Sequence, residues 1–372
     1  MKNFILAPDS FKGTMSAQAV CSIWAEAIKR HIPNAEIYEL PLADGGEGMV
    51  EAFLGACGGQ KRTVFVNGPI GGTVEAEYGI LPDGTAVLEM AACAGLTLVG
   101  ENKRPEEATT YGVGEMLKYA AMNGAERIIL GLGGSATNDC GIGMAAALGY
   151  RFYDVGGKEL ESLAKNMTGI AHIERPESLP DIRVVAACDV DNPLYGKDGA
   201  TYTFGPQKGV AGDMLGELDA GLVNMANVIE RDLNIRIADV PGAGAAGGLG
   251  GGVLAFLGGT LEPGIDLLLD SVHFDDVLED ADMVFVGEGR MDWQSAHGKA
   301  PVGISRRAKK HGVPCIALNG MAGQGAEEVY KEGICALFCA AQGARDIAEI
   351  VKTCEEDMQR LADAVVRVLC IS

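Results

Sequence analysis

FILAPDSFKG, residues Phe4–Gly13, sets the frame for the whole chain. Phe4-Ile5-Leu6-Ala7 is a short, continuous apolar run of the kind that forms a strand covered on both faces, as in parallel sheets. Pro8 to Gly13 is polar and turn-forming. Beyond it, Val20, Ile23, Trp24, Ala27 and Ile28 recur at spacings of three and four, which predicts a helix with Ser16 as N-cap and Pro33 closing the segment. Glu36 to Leu40 is a second strand, and Ala43-Asp44-Gly45-Gly46-Glu47-Gly48 is a second polar loop. The unit is βαβ, with chemistry-bearing residues after both strands.

Outward from there the pattern changes and then returns. From Arg62 to Met90 the residues alternate: Val74, Ala76, Tyr78 and Ile80 fall on one side, Glu75 and Glu77 on the other. Pro82-Asp83-Gly84 marks a hairpin. Val113, Met116, Leu117 and Ala120 predict a helix capped at Gly124, followed by strands at Arg127–Leu130 and Arg183–Cys188. From Asp282 onward parallel α/β pattern resumes, with strands at 283–286, 314–318 and 336–339 and helices at 301–311 and around 327–329. The last helix carries Ile347, Ile350, Val351, Cys354, Met358, Leu361 and Val365 on one stripe. The expected fold is α/β, a Rossmann- or flavodoxin-like parallel-sheet domain from both chain ends (1–61 and 281–372). A mixed α/β domain (62–280) is inserted between them, with the active site expected in the cleft they form.

Composition narrows the function. A chain of 372 residues exceeds one efficient core. A formal net charge of -21 argues against nucleic acid and anionic membrane as partners. The ten cysteines are dispersed, without CxxC spacing, and read as thiols of a reducing cytosol, not as metal ligands. No secretory segment or ~20-residue apolar span is evident, so a cytoplasmic location is expected. The 53 glycines lie in short clusters, as they do where backbone approaches backbone or ligand.

In open parallel sheets, ligands bind beyond the carboxyl ends of the strands. Lys12, beside Ser10 and Gly13, suits a phosphate, although APDSFKG is not a Walker A motif. Asp44 and Glu47 flank two glycines and suit Mg²⁺ or hydroxyl groups. In LGLGGSATNDCGIG, Gly133 and Gly134 lead to Ser135, Thr137 and Asn138, which offer donors to phosphate or carboxylate at an expected helix start, with Asp139 as cap or metal ligand. Asp189, after the Arg183–Cys188 strand, can accept a proton from an attacking hydroxyl or bind Mg²⁺. FGPQKG adds Lys208, a second cation between glycines. Gly242, Gly244 and Gly247 match GxGxxG but lack a preceding strand, leaving tight packing and phosphate approach both open. In VGEGRMDWQSAHGK, Glu288, Arg290, Asp292 and Lys299 gather both signs of charge past a strand, and His297 reads as solvated or packed.

Taken in order, DSFKG, LADGGEG, GLGGSATND, ACDVDNPLYG, FGPQKG, GAGAAGGLG and GEGRMDWQSAHGK resemble the bacterial glycerate kinase family of the 2-phosphoglycerate-forming type, along essentially the whole chain. The resemblance implies ATP, Mg²⁺ and D-glycerate. Thr14 after DSFKG and Cys140 after GGSATND are mild departures.

Combined with phosphoryl-transfer chemistry, the loops give expected roles. Lys12 and Asp189 are catalytic; Ser10, Asp44, Glu47 and Arg290 bind substrate. Gly133, Gly134, Ser135, Thr137, Asn138, Lys208 and Lys299 hold nucleotide phosphate, and Asp189, Asp139, Glu288 and Asp292 hold metal. The expected partners are D-glycerate and ATP, with a homodimer allowed. The rivals are a kinase for another small hydroxy acid, phosphorylation at the 3-hydroxyl, and a non-catalytic nucleotide or organic-acid sensor.

Overall fold

The computed structural model describes residues 2–371 except Lys12, residues 43–47, 298–299 and 344, and the side chain of His297. The chain divides into two compact units, Met1–Gly48 with Ile265–Ser372, and Met49–Gly264.

The first unit holds a five-stranded sheet in which every neighbouring pair is parallel. Its strands are Asn3–Pro8, Glu36–Glu39, Met283–Gly287, Cys315–Asn319 and Ile334–Cys339. Numbered in that chain order, they lie 2-1-3-4-5 across the sheet, the flavodoxin-like order. The order reverses between Asn3–Pro8 and Met283–Gly287, the place where such sheets open a crevice.

Alternation within the first strand explains why it reads as uniformly apolar. Phe4 and Leu6 join Trp24, Phe285, Met358 and Val366 in one core, under helices Ala17–His31 and Ile347–Leu369. Ile5 and Ala7 are equally buried. Phe285 anchors the core through edge-to-face contacts with Phe4 (5.8 Å) and Trp24 (6.1 Å). Ser16 caps the first helix, its hydroxyl accepting from Ala19 N at 3.2 Å.

The second unit is built on a six-stranded mixed sheet, in spatial order Thr260–Glu262, Arg183–Ala187, Arg127–Gly131, Ala86–Glu89, Thr73–Ile80 and Gln60–Asn67. The last three form the antiparallel meander and the others pair in parallel. Ala76 and Tyr78 face the core while Glu75 and Glu77 face water, so the alternation in sequence is the two faces of one strand. Asp83 closes the hairpin by accepting from Thr85 N at 2.9 Å.

The units change at 48–49 and 264–265, whereas alternation in the sequence begins only near residue 62. Helix Met49–Cys57 is the reason. Its first N–H groups, on Met49 and Val50, donate to the Glu89 carboxylate at 3.2 and 3.3 Å. A Cβ on Gly79 would meet Val50 and Leu54 at 3.3–3.4 Å, so the helix rests on the meander. At the other junction, Gly303 closes on Ile265, and Arg307 pairs with Asp270 at 2.6 Å, tying helix Gly264–Ser271 to helix Ala300–Lys310.

Candidate active site

The strand Arg127–Gly131 runs buried through the second sheet and delivers the Gly133–Asp139 loop at its carboxyl end. The loop is stitched down by Leu96 N to Gly134 O (2.8 Å) and Ala136 N to Ala94 O (2.9 Å). Gly133 is left exposed and Gly134 half-buried, while Ser135, Thr137 and Asn138 are buried.

Lys208 comes to them from the 3₁₀ turn Pro206–Lys208, whose end is capped by Gly209 at φ 97. Its Nζ donates to Ser135 Oγ and to Thr137 O, each at 2.7 Å. The residue is 2% exposed, and neither acceptor carries charge. Burial pushes the ammonium from its usual range down to about 7, with the negative charge of Asp139 opposing. Thr137 Oγ1 and Asn138 Oδ1 are also buried and have no hydrogen-bond partner among the described residues, while Asn138 Nδ2 donates to Thr201 Oγ1 at 3.0 Å. A buried cation beside a free hydroxyl and a free carbonyl oxygen is complementary to a small anion that also carries a hydroxyl.

Asp139 departs from its expected metal role. Its fully buried carboxylate accepts from Thr110 N (2.8 Å), Thr110 Oγ1 (2.9 Å), Gly141 N (3.1 Å) and Gly143 N (3.3 Å). Burial nonetheless raises its pKa. Held by these four donors, it clasps the loop to residue 110. The expected helix-dipole cradle is corrected as well. The helix starts only at Ile142, spans six residues, and its leading N–H groups are already taken by Asp139 and by Thr110 Oγ1, which accepts from Met144 N at 2.9 Å.

The glycine-rich segment after residue 240 supports this loop from beneath. A Cβ on Gly247, at φ 70, would stand 2.0 Å from Thr137 O, and one on Gly252 would stand 2.7 Å from Cys140 O. Those glycines let two backbones touch, which decides the GxGxxG match in favour of packing. On the next strand over, Asp189 follows Arg183–Ala187, stands exposed, and accepts from Gly264 N at 2.9 Å.

In the first unit, the strand ends at the reversal point open into a cavity of about 350 Å³. It brings together Ser10, Glu288, Arg290 and Asp292 from the expected set. Asp292 is shaped by its own turn, accepting from Gln294 N at 3.0 Å, and lies 3.4 Å from Arg290 Nε. Glu288 is buried and its N–H donates to Asn319 Oδ1 at 3.1 Å. A Cβ on Gly287 would sit 2.0 Å from Leu318 O, so this strand end admits only glycine beside its neighbour. Asp9, buried and lining the cavity, was not singled out in the sequence; its place as the first polar residue after a strand was the available signal. Nor was the apolar wall supplied by Ile347, Ile350 and Val351, which read as core. Lys12, Asp44, Glu47 and Lys299 lie outside the described residues. Among the described residues, no group of three or more His, Cys, Asp or Glu gathers as a metal site, and no helix is long and apolar enough to cross a membrane.

A flavodoxin-ordered parallel sheet with a polar cavity at its reversal point, and a mixed-sheet unit with a buried lysine on a polar loop, define an α/β protein. Comparison with known proteins agrees. Residues 4–370 match the model of the glycerate kinase family. The chain is 46% identical over 343 residues to a glycerate kinase of Halalkalibacterium halodurans, covering 91% of this chain and 90% of that protein. It is 40% identical over 372 residues to the glycerate 2-kinase of Escherichia coli, covering 99% and 98%. A crystal structure of a protein assigned as glycerate kinase 2 from Salmonella typhimurium LT2 superposes with a TM-score of 0.85 at 38% identity, covering 99% of this chain and 98% of that one. The chain belongs to the glycerate kinase family, phosphotransferases with an alcohol acceptor.

Proposed function

We propose that the protein transfers the γ-phosphoryl group of ATP to D-glycerate, forming 2-phosphoglycerate, with Mg²⁺, in the cytoplasm. The observation that carries this reading is the Lys208–Ser135 pair, a buried amine whose hydrogen bonds among the described residues go to neutral oxygens, beside Thr137 Oγ1 and Asn138 Oδ1, which have no partner among those residues. A hydroxy acid or a phosphate would bring negative charge into direct contact with Lys208, and a ligand hydroxyl would supply the proton that Asn138 Oδ1 can accept.

Phosphoryl transfer asks a protein mainly for positioning and charge stabilisation. Lys208, Ser135 and Thr137 would hold anionic oxygens, with Gly133 and Gly134 leaving room for backbone approach. Arg290 and Ser10 offer a second cation–hydroxyl pair. Asp189, fixed by Gly264 N, would take the proton from the attacking hydroxyl. Glu288 and Asp292 fit Mg²⁺ as hard oxygen donors, since that ion typically uses one or two carboxylates with phosphate oxygens and water. When bound, it would neutralise charge on the transferring phosphate. The roles proposed for Lys12 at the phosphate, Asp44 and Glu47 at glycerate hydroxyls, and Lys299 at phosphate rest on loop chemistry alone. The cytoplasmic assignment is supported by ten cysteines that are all free.

ADP release measured across D-glycerate and a panel of other small hydroxy acids tests the reading. Preference for D-glycerate supports it, and preference for another acid, or glycerate-independent hydrolysis only, refutes it.

A further inference from the structure

The cavity of the first unit is not shaped for a three-carbon acid. It encloses about 350 Å³ at the point where strand order reverses, within the range of about 300–1,000 Å³ typical of small-molecule sites. One end is polar, with Asp9, Ser10, Glu288, Arg290 and Asp292. The other is apolar, with Phe11 and Met15 contributed by the first loop and Ile347, Ile350, Val351 and Met358 by the last helix.

The helix wall shows what kind of ligand is missing. Asp346 caps this helix, its carboxylate accepting from Glu349 N at 2.8 Å. Yet Ile347 is 71% exposed and Val351 41% exposed, although both sit on the apolar stripe that further along buries Met358, Leu361 and Val365. The stripe thus extends past the core and into the cavity. Glycerate, small and polar at every carbon, gains nothing from such a wall. A flat heteroaromatic base gains burial against it, and Asp9 at the neighbouring strand end can accept from ribose hydroxyls, as acidic residues do in nucleotide-binding sheets.

We propose that this cavity receives the nucleoside of the phosphoryl donor, the purine lying along Ile347, Ile350 and Val351 and the ribose toward Asp9. The proposal rests on the reading of the protein as an ATP-dependent kinase, and deepens it by assigning the base to the first unit. Ile347 and Val351 are exposed and lie outside the buried cluster, so filling the wall tests binding without removing core.

The experiment titrates ADP, and separately tripolyphosphate as a donor lacking the base, into wild type and Val351→Trp by calorimetry. It also measures KM for both substrates. Expected are at least a ~10-fold loss of ADP affinity with tripolyphosphate affinity held within ~2-fold, and a rise of at least ~10-fold in KM for ATP with KM for glycerate held within ~2-fold. An unchanged ADP affinity, or a change confined to glycerate, overturns the proposal. A readout on the unaltered protein guards against misfolding of the variant. Cys354 lines the cavity, so ADP should slow its alkylation, mapped by mass spectrometry, and tripolyphosphate should not. Equal alkylation with and without ADP overturns the proposal too. Wild type that binds ADP in this base-dependent way but never phosphorylates glycerate would keep the nucleoside site and defeat the proposed function instead.

Discussion

Lys208 Nζ donates to Ser135 Oγ at 2.7 Å from a position 2% exposed to solvent, across 73 residues of sequence. A cation so placed is costly unless an anion joins it, which makes this pair the energetic centre of the candidate site.

Stability should carry the signature of that cost. Lys208 falls to about 7 in the fold from 10.5, so between those values the unfolded chain binds the extra proton and the folded chain does not. Stability from this group therefore rises with pH across that window, and the penalty is fully present below about 7. Urea midpoints compared at pH 7 and pH 9.5 should climb more in wild type than in Lys208→Met. Parallel pH dependence in the two proteins would contradict the assignment.

Anion affinity should run the other way. Only the protonated amine attracts a carboxylate or phosphate, so ligand affinity of the free enzyme should weaken as pH rises above about 7. Lys208→Ala should lower kcat/KM by about 100-fold or more, and Ser135→Ala by about 10-fold. Steady-state kinetics with either substrate varied checks both.

Asp139 should behave as a structural clasp. Asp139→Ala strands four donors and should cost ~3 kcal/mol or more, read by denaturant unfolding. Mg²⁺ affinity of any folded Asp139→Asn protein should match wild type. A selective loss of Mg²⁺ binding would return Asp139 to the metal set.

Gly247→Ala should destabilise by ~2 kcal/mol or more and weaken ligand binding together, because its Cβ would strike Thr137 O and its φ of 70 disfavours a side chain. Thermal unfolding and calorimetry on the same variant test the pairing, and normal binding in a destabilised variant would separate the two loops.

Asp189→Asn should reduce kcat by about 100-fold or more if its carboxylate accepts the hydroxyl proton. Near-normal turnover would remove it from that role.

Much of this molecule is legible in its residues. Parallel strands declare themselves as short apolar runs at Phe4–Ala7 and Met283–Val286, the meander by alternation through Tyr78, and the site loops by polar residues following strands. What stayed hidden depends on partners distant in sequence. Asp139 reads as a metal ligand or cap until Thr110 is seen beneath it. Lys208 reads as a phosphate-binding cation between glycines, and its burial against Ser135 shows only once its turn docks there. Ile347 and Val351 obey the same helical period as Met358, and only the end of the core separates a wall of the cavity from a wall of the interior.

The most direct test of the account is the product itself. Protein incubated with ATP, Mg²⁺ and D-glycerate should yield 2-phosphoglycerate, identified by coupling between phosphorus and the C2 proton in ³¹P and ¹H spectra. Coupling to the C3 protons, or ADP without any phosphorylated acid, would contradict it.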